Sequence, residues 1–206
     1  MLNIALPKGR LADKTLDMML RAGILSSIED SGRKLVFENA AGDIRYFLVK
    51  PWDVPVYVER GIADVGVAGK DVIDENSPDV YELMDLNIGK CRLAVCAVNG
   101  YKDDPSEKIR VATKFVNCAK RYYASLGRDI EVIKLNGSIE LAPLLNMSDV
   151  IVDLVETGTT LKENNMGVVR EITKISARLI ANKASYRFKR GEIDLLTKKL
   201  GETVNA

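Results

Sequence analysis

The sequence predicts an α/β fold in two lobes with mostly parallel sheets, and three observations carry this. Short apolar strands alternate with amphipathic helices along most of the chain, a pattern that lays helices on the faces of a parallel sheet. The polar, turn-rich stretch from Asn99 to Lys108 separates two such series. Two consecutive late strands and a terminal helix then return the chain to the first lobe. The expected lobes are 1–90 with 174–206, and 91–173. Ligand is expected in a cleft between them, near the carboxyl ends of the strands.

Leu2 to Leu6 is a strand-length apolar run, and Pro7 to Arg10 turns the chain. Leu11, Thr15, Met18, Met19 and Ala22 recur at helical spacing up to Gly23. Lys34 to Glu38 and Ile44 to Val49 flank the turn residues 39–43 as an antiparallel hairpin, which Pro51 stops. Asp53 is placed to cap a short helix with Pro55 in its first turn. Ala63 to Val67 is a buried strand, followed by a short helix over 71–75. Val80 to Leu83 and Arg92 to Val98 add strands. In the second series, strands over 109–113, 130–135 and 150–152 are separated by helices over 117–126 and 138–145. Val168 to Ile172 and Ile175 to Ile180 read as strands running back, and Tyr186 to Leu200 as one closing helix.

Composition narrows the chemistry. The chain has 206 residues, 30 Lys and Arg against 29 Asp and Glu, and a net charge of +1. Without a long-range positive field, neither nucleic acid nor an anionic membrane is an expected partner, and any bound anion must be held by local groups. No apolar run approaches the roughly 20 residues that span a bilayer, and no signal-peptide core precedes the charges at Lys8 and Arg10, so a cytoplasmic protein is expected. Cys91, Cys96 and Cys118 lack a metal-ligand spacing and are expected as buried, reduced thiols. Histidine is absent. That excludes a Ser–His–Asp or Cys–His apparatus and any imidazole zinc site. Proton transfer is left to carboxylates, Lys, Tyr or substrate, and a metal would be an oxygen-bound one such as magnesium.

Four constellations carry chemistry. The strongest runs from Asp149 to Leu161: a strand ending at Asp153, a loop of small residues, and a helix starting near Leu161. Such a loop offers backbone N–H groups and hydroxyls to a phosphate. Gly158 permits close approach, Thr157, Thr159 and Thr160 donate, and Asp153 and Glu156 can accept from a ribose diol. Acids beside a phosphate loop favour a sugar phosphate over inorganic phosphate; the bland alternative is a well-capped βα turn. The second constellation, Pro7-Lys8-Gly9-Arg10-Leu11, sets two cations and a glycine on a strand-to-helix turn, where surface charges on a solvated turn are the alternative. In the third, Lys50-Pro51-Trp52-Asp53 precedes a strand whose Gly66 and Gly69, ahead of Lys70, suit backbone approach to a ligand, though a pair of glycines is weak by itself. The fourth is Gly137 to Pro143, where Ser138 can cap a helix carrying Glu140 in its first turn.

Taken together, Pro7 to Leu11, Asp53-Val54-Pro55, Ala63-Asp64-Val65-Gly66, Ala112-Thr113-Lys114, Gly137 to Pro143 and Asp149 to Leu161 resemble the ATP phosphoribosyltransferase family of histidine biosynthesis, in order and spacing from Leu2 to about Arg190. The resemblance is to the short form, and it implies two periplasmic-binding-protein-like (type II) lobes. It further implies condensation of ATP, through adenine N1, with 5-phosphoribosyl 1-diphosphate. Asp153 and Glu156 to Thr160 would hold the phosphoribosyl group. Lys8, Arg33 and Lys50 would be the catalytic cations at the diphosphate, and Gly9, Arg10, Gly69, Lys70 and Glu140 further contacts of ATP or diphosphate. Lys50 stands where the family usually has Arg, an ammonium in place of a planar fork. Val116 stands where Pro often precedes Asn117. The resemblance also implies Mg²⁺ carried mainly by substrate phosphates, with no protein ligand assigned. It implies a homodimer within a hetero-oligomer, whose regulatory subunit resembles histidyl-tRNA synthetase. Two rival functions remain at this level: another phosphoribosyltransferase, whose phosphate loop usually has two adjacent acids where Leu154 follows Asp153 here, or a two-lobed small-molecule binding protein.

Overall fold

The first strand shows how the fold is built. Leu2, Ile4 and Leu6 are buried with Leu16, Met19, Ile193 and Leu196 in one core, while the intervening Ala5 joins Val54, Val58 and Ile180 in another. Period-two alternation thus feeds two opposite faces, so this strand is interior to its sheet and covered on both sides. The computed structural model describes residues 1–28 and 34–204. Its elements in chain order are β1 (Leu2–Pro7), α1 (Arg10–Arg21), β2 (Val36–Glu38), β3 (Ile44–Val49), a 3₁₀ turn (Pro51–Asp53), α2 (Val54–Glu59), β4 (Val65–Gly69), α3 (Lys70–Asn76), β5 (Val80–Asp85) and β6 (Cys91–Val98). They continue with β7 (Ile109–Thr113), α4 (Val116–Ser125), β8 (Ile130–Lys134), α5 (Leu141–Leu144), β9 (Val150–Val155), α6 (Thr159–Glu163), β10 (Met166–Ile175), β11 (Ala177–Asn182), α7 (Lys183–Phe188) and α8 (Arg190–Val204).

The chain divides into two units, one of Met1–Ile73, Ser77–Gly89 and Ser176–Ala206, the other of Asp74–Asn76 and Lys90–Ile175. Among the described residues the first holds a six-stranded sheet in the order β2-β3-β1-β4-β11-β5. Here β1 runs parallel to β3 and β4, β2 is antiparallel to β3, and β11 is antiparallel to both β4 and β5. Asp64, at the entrance to β4, is buried and binds the start of the chain to its end. It accepts the Asn3 N–H at 2.8 Å, the Ser185 hydroxyl at 2.7 Å and the Lys189 ammonium at 2.8 Å. Burial works against this carboxylate, but these donors hold it below the usual aspartate range.

The second unit holds a five-stranded sheet in the order β10-β6-β9-β7-β8. In it β7 is parallel to β8 and β9, while β6 is antiparallel to both β9 and β10. Ala94, Cys96, Ala112, Ile139, Ile151 and Leu161 form the core on one face. Glu75 caps α4: its buried carboxylate accepts the N–H groups of Asn117 at 2.9 Å and Cys118 at 3.0 Å, where an anion meets otherwise unpaired donors.

Several expectations are corrected. The sheets are mixed rather than mostly parallel, because the returning strand β11 runs against β4 and β5, and β6 runs against β9 and β10. Ser138 does not cap a helix over 138–145. Its φ of 49° is left-handed, and α5 begins only at Leu141, since Pro143 lacks the N–H that an earlier helix would need at that position. Asp53 already has helical angles after the 3₁₀ turn and makes no side-chain cap. The closing helix is two helices, α7 capped by Asn182 accepting the Ser185 N–H at 2.9 Å, then α8, with Lys189 between them anchored on Asp64. All three cysteines are unbridged, but Cys91 is only half-buried, unlike Cys96 and Cys118.

Candidate active site

In each unit the candidate residues collect at the carboxyl ends of parallel strands, where open α/β sheets bind ligands. In the first unit the register Pro7↔Val49 sets the ends of β1 and β3 side by side, and the Lys8 N–H donates to the Val49 carbonyl at 2.7 Å. Lys8 and Lys50 are therefore neighbours, both exposed. Gly9 follows with φ 92°, a left-handed turn that launches α1 at Arg10, and a side chain there would be strained. Lys70 begins α3 with its ammonium 2.8 Å from Glu82, so a phosphate at this position competes with an ion pair. Two glycines have packing reasons. A Cβ on Gly66 would lie 2.7 Å from Val58 and 2.9 Å from Val54, so Gly66 seats α2 on β4; one on Gly69 would lie 2.1 Å from the Asp71 carboxylate. Arg33 lies outside the described residues.

In the second unit Asp153, Glu156, Thr157, Gly158, Thr159, Thr160 and Glu140 line one cavity of about 210 Å³. The strand runs two residues further than the sequence suggests, to Val155, and α6 starts at Thr159 rather than near Leu161. Gly158 makes the turn with φ 78° and ψ 9°. The Thr157 and Thr159 hydroxyls lie 3.0 Å apart, and the Thr159 N–H donates to the Thr157 hydroxyl at 3.4 Å, a long bond. The loop's threonines thus line the same cavity as three carboxylates, those of Glu140, Asp153 and Glu156.

Burial pushes Asp153 up to about 6; the N–H of Leu154 at 2.8 Å pulls it down, the charge of Glu140 raises it again, and Lys114 lowers it. Beneath them the Cys96 thiol is pushed up to about 12 by burial and then by the charge of Asp153, so it stays protonated and takes no part as a nucleophile. Sequence reasoning quoted Lys114 within a motif but gave it no role. Its position directly after β7, beside β9, was the available signal.

Comparison with known proteins places the chain in a family. The profile of the ATP phosphoribosyltransferase family matches residues 50–202. An ATP phosphoribosyltransferase of Brachyspira hyodysenteriae is 56% identical over 99% of this chain and 100% of its own length. A chain of the ATP phosphoribosyl transferase (HisG:HisZ) complex from Thermotoga maritima superposes with a TM-score of 0.85 at 37% identity, covering 100% of this chain and 99% of that one. The periplasmic aliphatic sulphonate binding protein SsuA from Escherichia coli, at a TM-score of 0.63 and 11% identity over 98% of this chain and 72% of that one, shares the fold alone. The periplasmic-binding-protein-like architecture is thereby found, and by sequence the chain belongs to the ATP phosphoribosyltransferase family.

Proposed function

We propose that the element from Asp153 to Thr160 seats the phosphoribosyl group of 5-phosphoribosyl 1-diphosphate for the family reaction, the first step of histidine biosynthesis. The observation that carries this is one cavity lined by Glu140, Asp153 and Glu156 together with the threonines around Gly158, two of whose hydroxyls lie 3.0 Å apart. The threonine loop takes the 5-phosphate, and Asp153 and Glu156 accept from the ribose hydroxyls. The adenine N1 lone pair of ATP then attacks ribose C1 as the bond from C1 to diphosphate breaks. A neutral lone pair needs no general base, which suits a chain without histidine. The protein aligns two anionic substrates and neutralises the departing diphosphate.

Lys8 and Lys50, adjacent at the ends of β1 and β3, supply that neutralisation together with Arg33, and Gly9 and Arg10 after β1, Gly69 and Lys70 at the end of β4, and Glu140 before α5 serve ATP or diphosphate. Mg²⁺ on the substrate phosphates supplies further charge neutralisation. A homodimer within an assembly containing a histidyl-tRNA-synthetase-like regulatory subunit belongs to the same proposal, supported by the similarity to a chain of the Thermotoga maritima complex. So does a cytoplasmic location; among the described residues no helix is long and apolar enough to cross a membrane.

The test is calorimetric binding of 5-phosphoribosyl 1-diphosphate to the wild type and to Thr159→Val. Losing one hydroxyl donor to a charged phosphate should cost about 1.5–3 kcal/mol. Normal binding by the variant would refute the placement of the phosphate. Mixing the protein with ATP and 5-phosphoribosyl 1-diphosphate should produce the absorbance of the N1-substituted nucleotide; a solute-binding protein gives none.

A further inference from the structure

We infer that Lys114 is a positioning residue for the transfer reaction: its ammonium, beside Asp153 on one face of the second sheet, keeps that carboxylate in the charged form that accepts from the ribose hydroxyls. This rests on the placement of the phosphoribosyl group proposed above. The parallel register of β7 on β9 pairs Ala112 with Ile151 and Thr113 with Val152. Continued by one residue, it sets Lys114 against Asp153, with both side chains on the face of Ala112 and Ile151. That face carries the cavity, which Ile151 and Asp153 line. The backbone on both sides of Lys114 is fixed. The Thr113 hydroxyl donates to the Val152 carbonyl at 2.6 Å and accepts the Phe115 N–H at 2.8 Å, and Thr113 and Phe115 are buried while Lys114 is half-buried.

The need for a cation follows from the surroundings of Asp153. Glu140 brings a like charge from the start of α5, and burial disfavours ionisation further. From β6, Cys96 presents a neutral thiol, and Arg92, two residues beyond the Ala94 that pairs with Asp153, sits 4.0 Å from Glu171. Glu156 follows in the loop as another acid. The countering cation on this carboxylate is Lys114. Without it Asp153 takes up a proton at a higher pH, and the ribose loses an acceptor.

The experiment compares Lys114→Met and Lys114→Arg with wild type in full-length protein, measuring kcat/KM for 5-phosphoribosyl 1-diphosphate from about pH 5.5 to about pH 8.5, a profile that reports groups of the free enzyme and free substrate. The substrate's own phosphate titrates identically in every variant, so differences belong to the protein. The acidic limb should move alkaline by about one pH unit in Lys114→Met, a loss of about fivefold at pH 6 that vanishes above about pH 8. Lys114→Arg should keep the wild-type limb, and KM for ATP should not change. A loss independent of pH, or an unmoved limb, overturns the inference, because a merely structural lysine would not shift a titration. If Lys114→Met folds poorly, a carbon-13 NMR titration of the Asp153 carboxyl in Lys114→Gln decides the same point by the direction of its midpoint. Asp153→Asn separates the two levels. If that variant leaves KM for 5-phosphoribosyl 1-diphosphate unchanged, the placement of the ribose fails. If it raises KM while Lys114→Met leaves the limb in place, the placement stands and the role of Lys114 falls.

Discussion

Asp64, at the entrance to β4, and Asp153, within β9, both lie on interior strands, yet their surroundings drive them in opposite directions. Asp64 is held below the usual range by Asn3, Ser185 and Lys189. Its folded-state value lies under the unfolded one, so its contribution to stability is present above about pH 4 and is lost as pH falls through the folded value. Asp64→Ala should cost about 3 kcal/mol at neutral pH, because it strands a partly buried Lys189, and should flatten the acid limb of urea-unfolding stability. Asp153, pushed up to about 6, works the other way. The folded state binds more protons than the unfolded one between about pH 4 and pH 6, so its stabilising share is complete below about pH 4 and is lost as pH rises through 6. Asp153→Asn should therefore be more stable than wild type by about 2 kcal/mol near pH 8 and indistinguishable near pH 4. Chemical denaturation at the two pH values measures it, and equal stabilities at both would contradict the burial assigned to this carboxyl. A protein that keeps a costly acid in a cavity gives up stability where it needs an acceptor.

At the level of elements, Gly66 illustrates what glycine can mean. Its Cα faces Val54, Val58 and the Ala5 carbonyl, and there is no room for a methyl. Gly66→Ala should push α2 away from β4 and cost about 1–3 kcal/mol in urea unfolding, with cooperativity retained; a neutral result would mean that α2 shifts freely. From sequence, Gly66 and Gly69 looked alike as ligand glycines, since a lone glycine does not say whether a ligand or a neighbouring helix approaches it. Strands read well because β1, β6 and β9 are apolar runs with clear limits. The run from Ser138 to Leu145 misled because its apolar residues have helical spacing, while the left-handed angle of Ser138 is set by the turn and not by its own preference. The loop after β9 was legible because Gly158 and three threonines sit where a strand turns into a helix. The chemical context of Asp153 was not, since Glu140 and Lys114 approach it from elements 13 and 39 residues away in sequence.

At the scale of the whole molecule, the proposed regulatory partner makes a separate prediction: the purified chain should be insensitive to histidine, and adding the partner subunit should confer feedback inhibition. Titrating histidine into the chain alone decides it; strong inhibition without a partner would refute the division of labour. The two-unit organisation was readable in outline, since the late pair of strands announces a chain that returns. The turn-rich 99–108 stretch, which the sequence offers as the break between two series, lies inside the second unit between β6 and β7, while the chain passes between units at Gly89/Lys90 and Ile175/Ser176. The order of the strands was not readable, because nothing local in Ala177–Asn182 says that it enters between β4 and β5. That insertion has a consequence for synthesis on the ribosome. The segment Lys90–Ile175 is continuous, so its sheet has all its strands once Ile175 has left the exit tunnel. The first sheet is still missing an interior strand at that moment. Until β11 emerges, β4 and β5 each expose an unpaired edge of peptide groups, the kind of surface that invites pairing with a neighbouring nascent chain. Translation that stalls in the interval before residue 182 should leave the first-made half of the protein as the last to become protease-resistant.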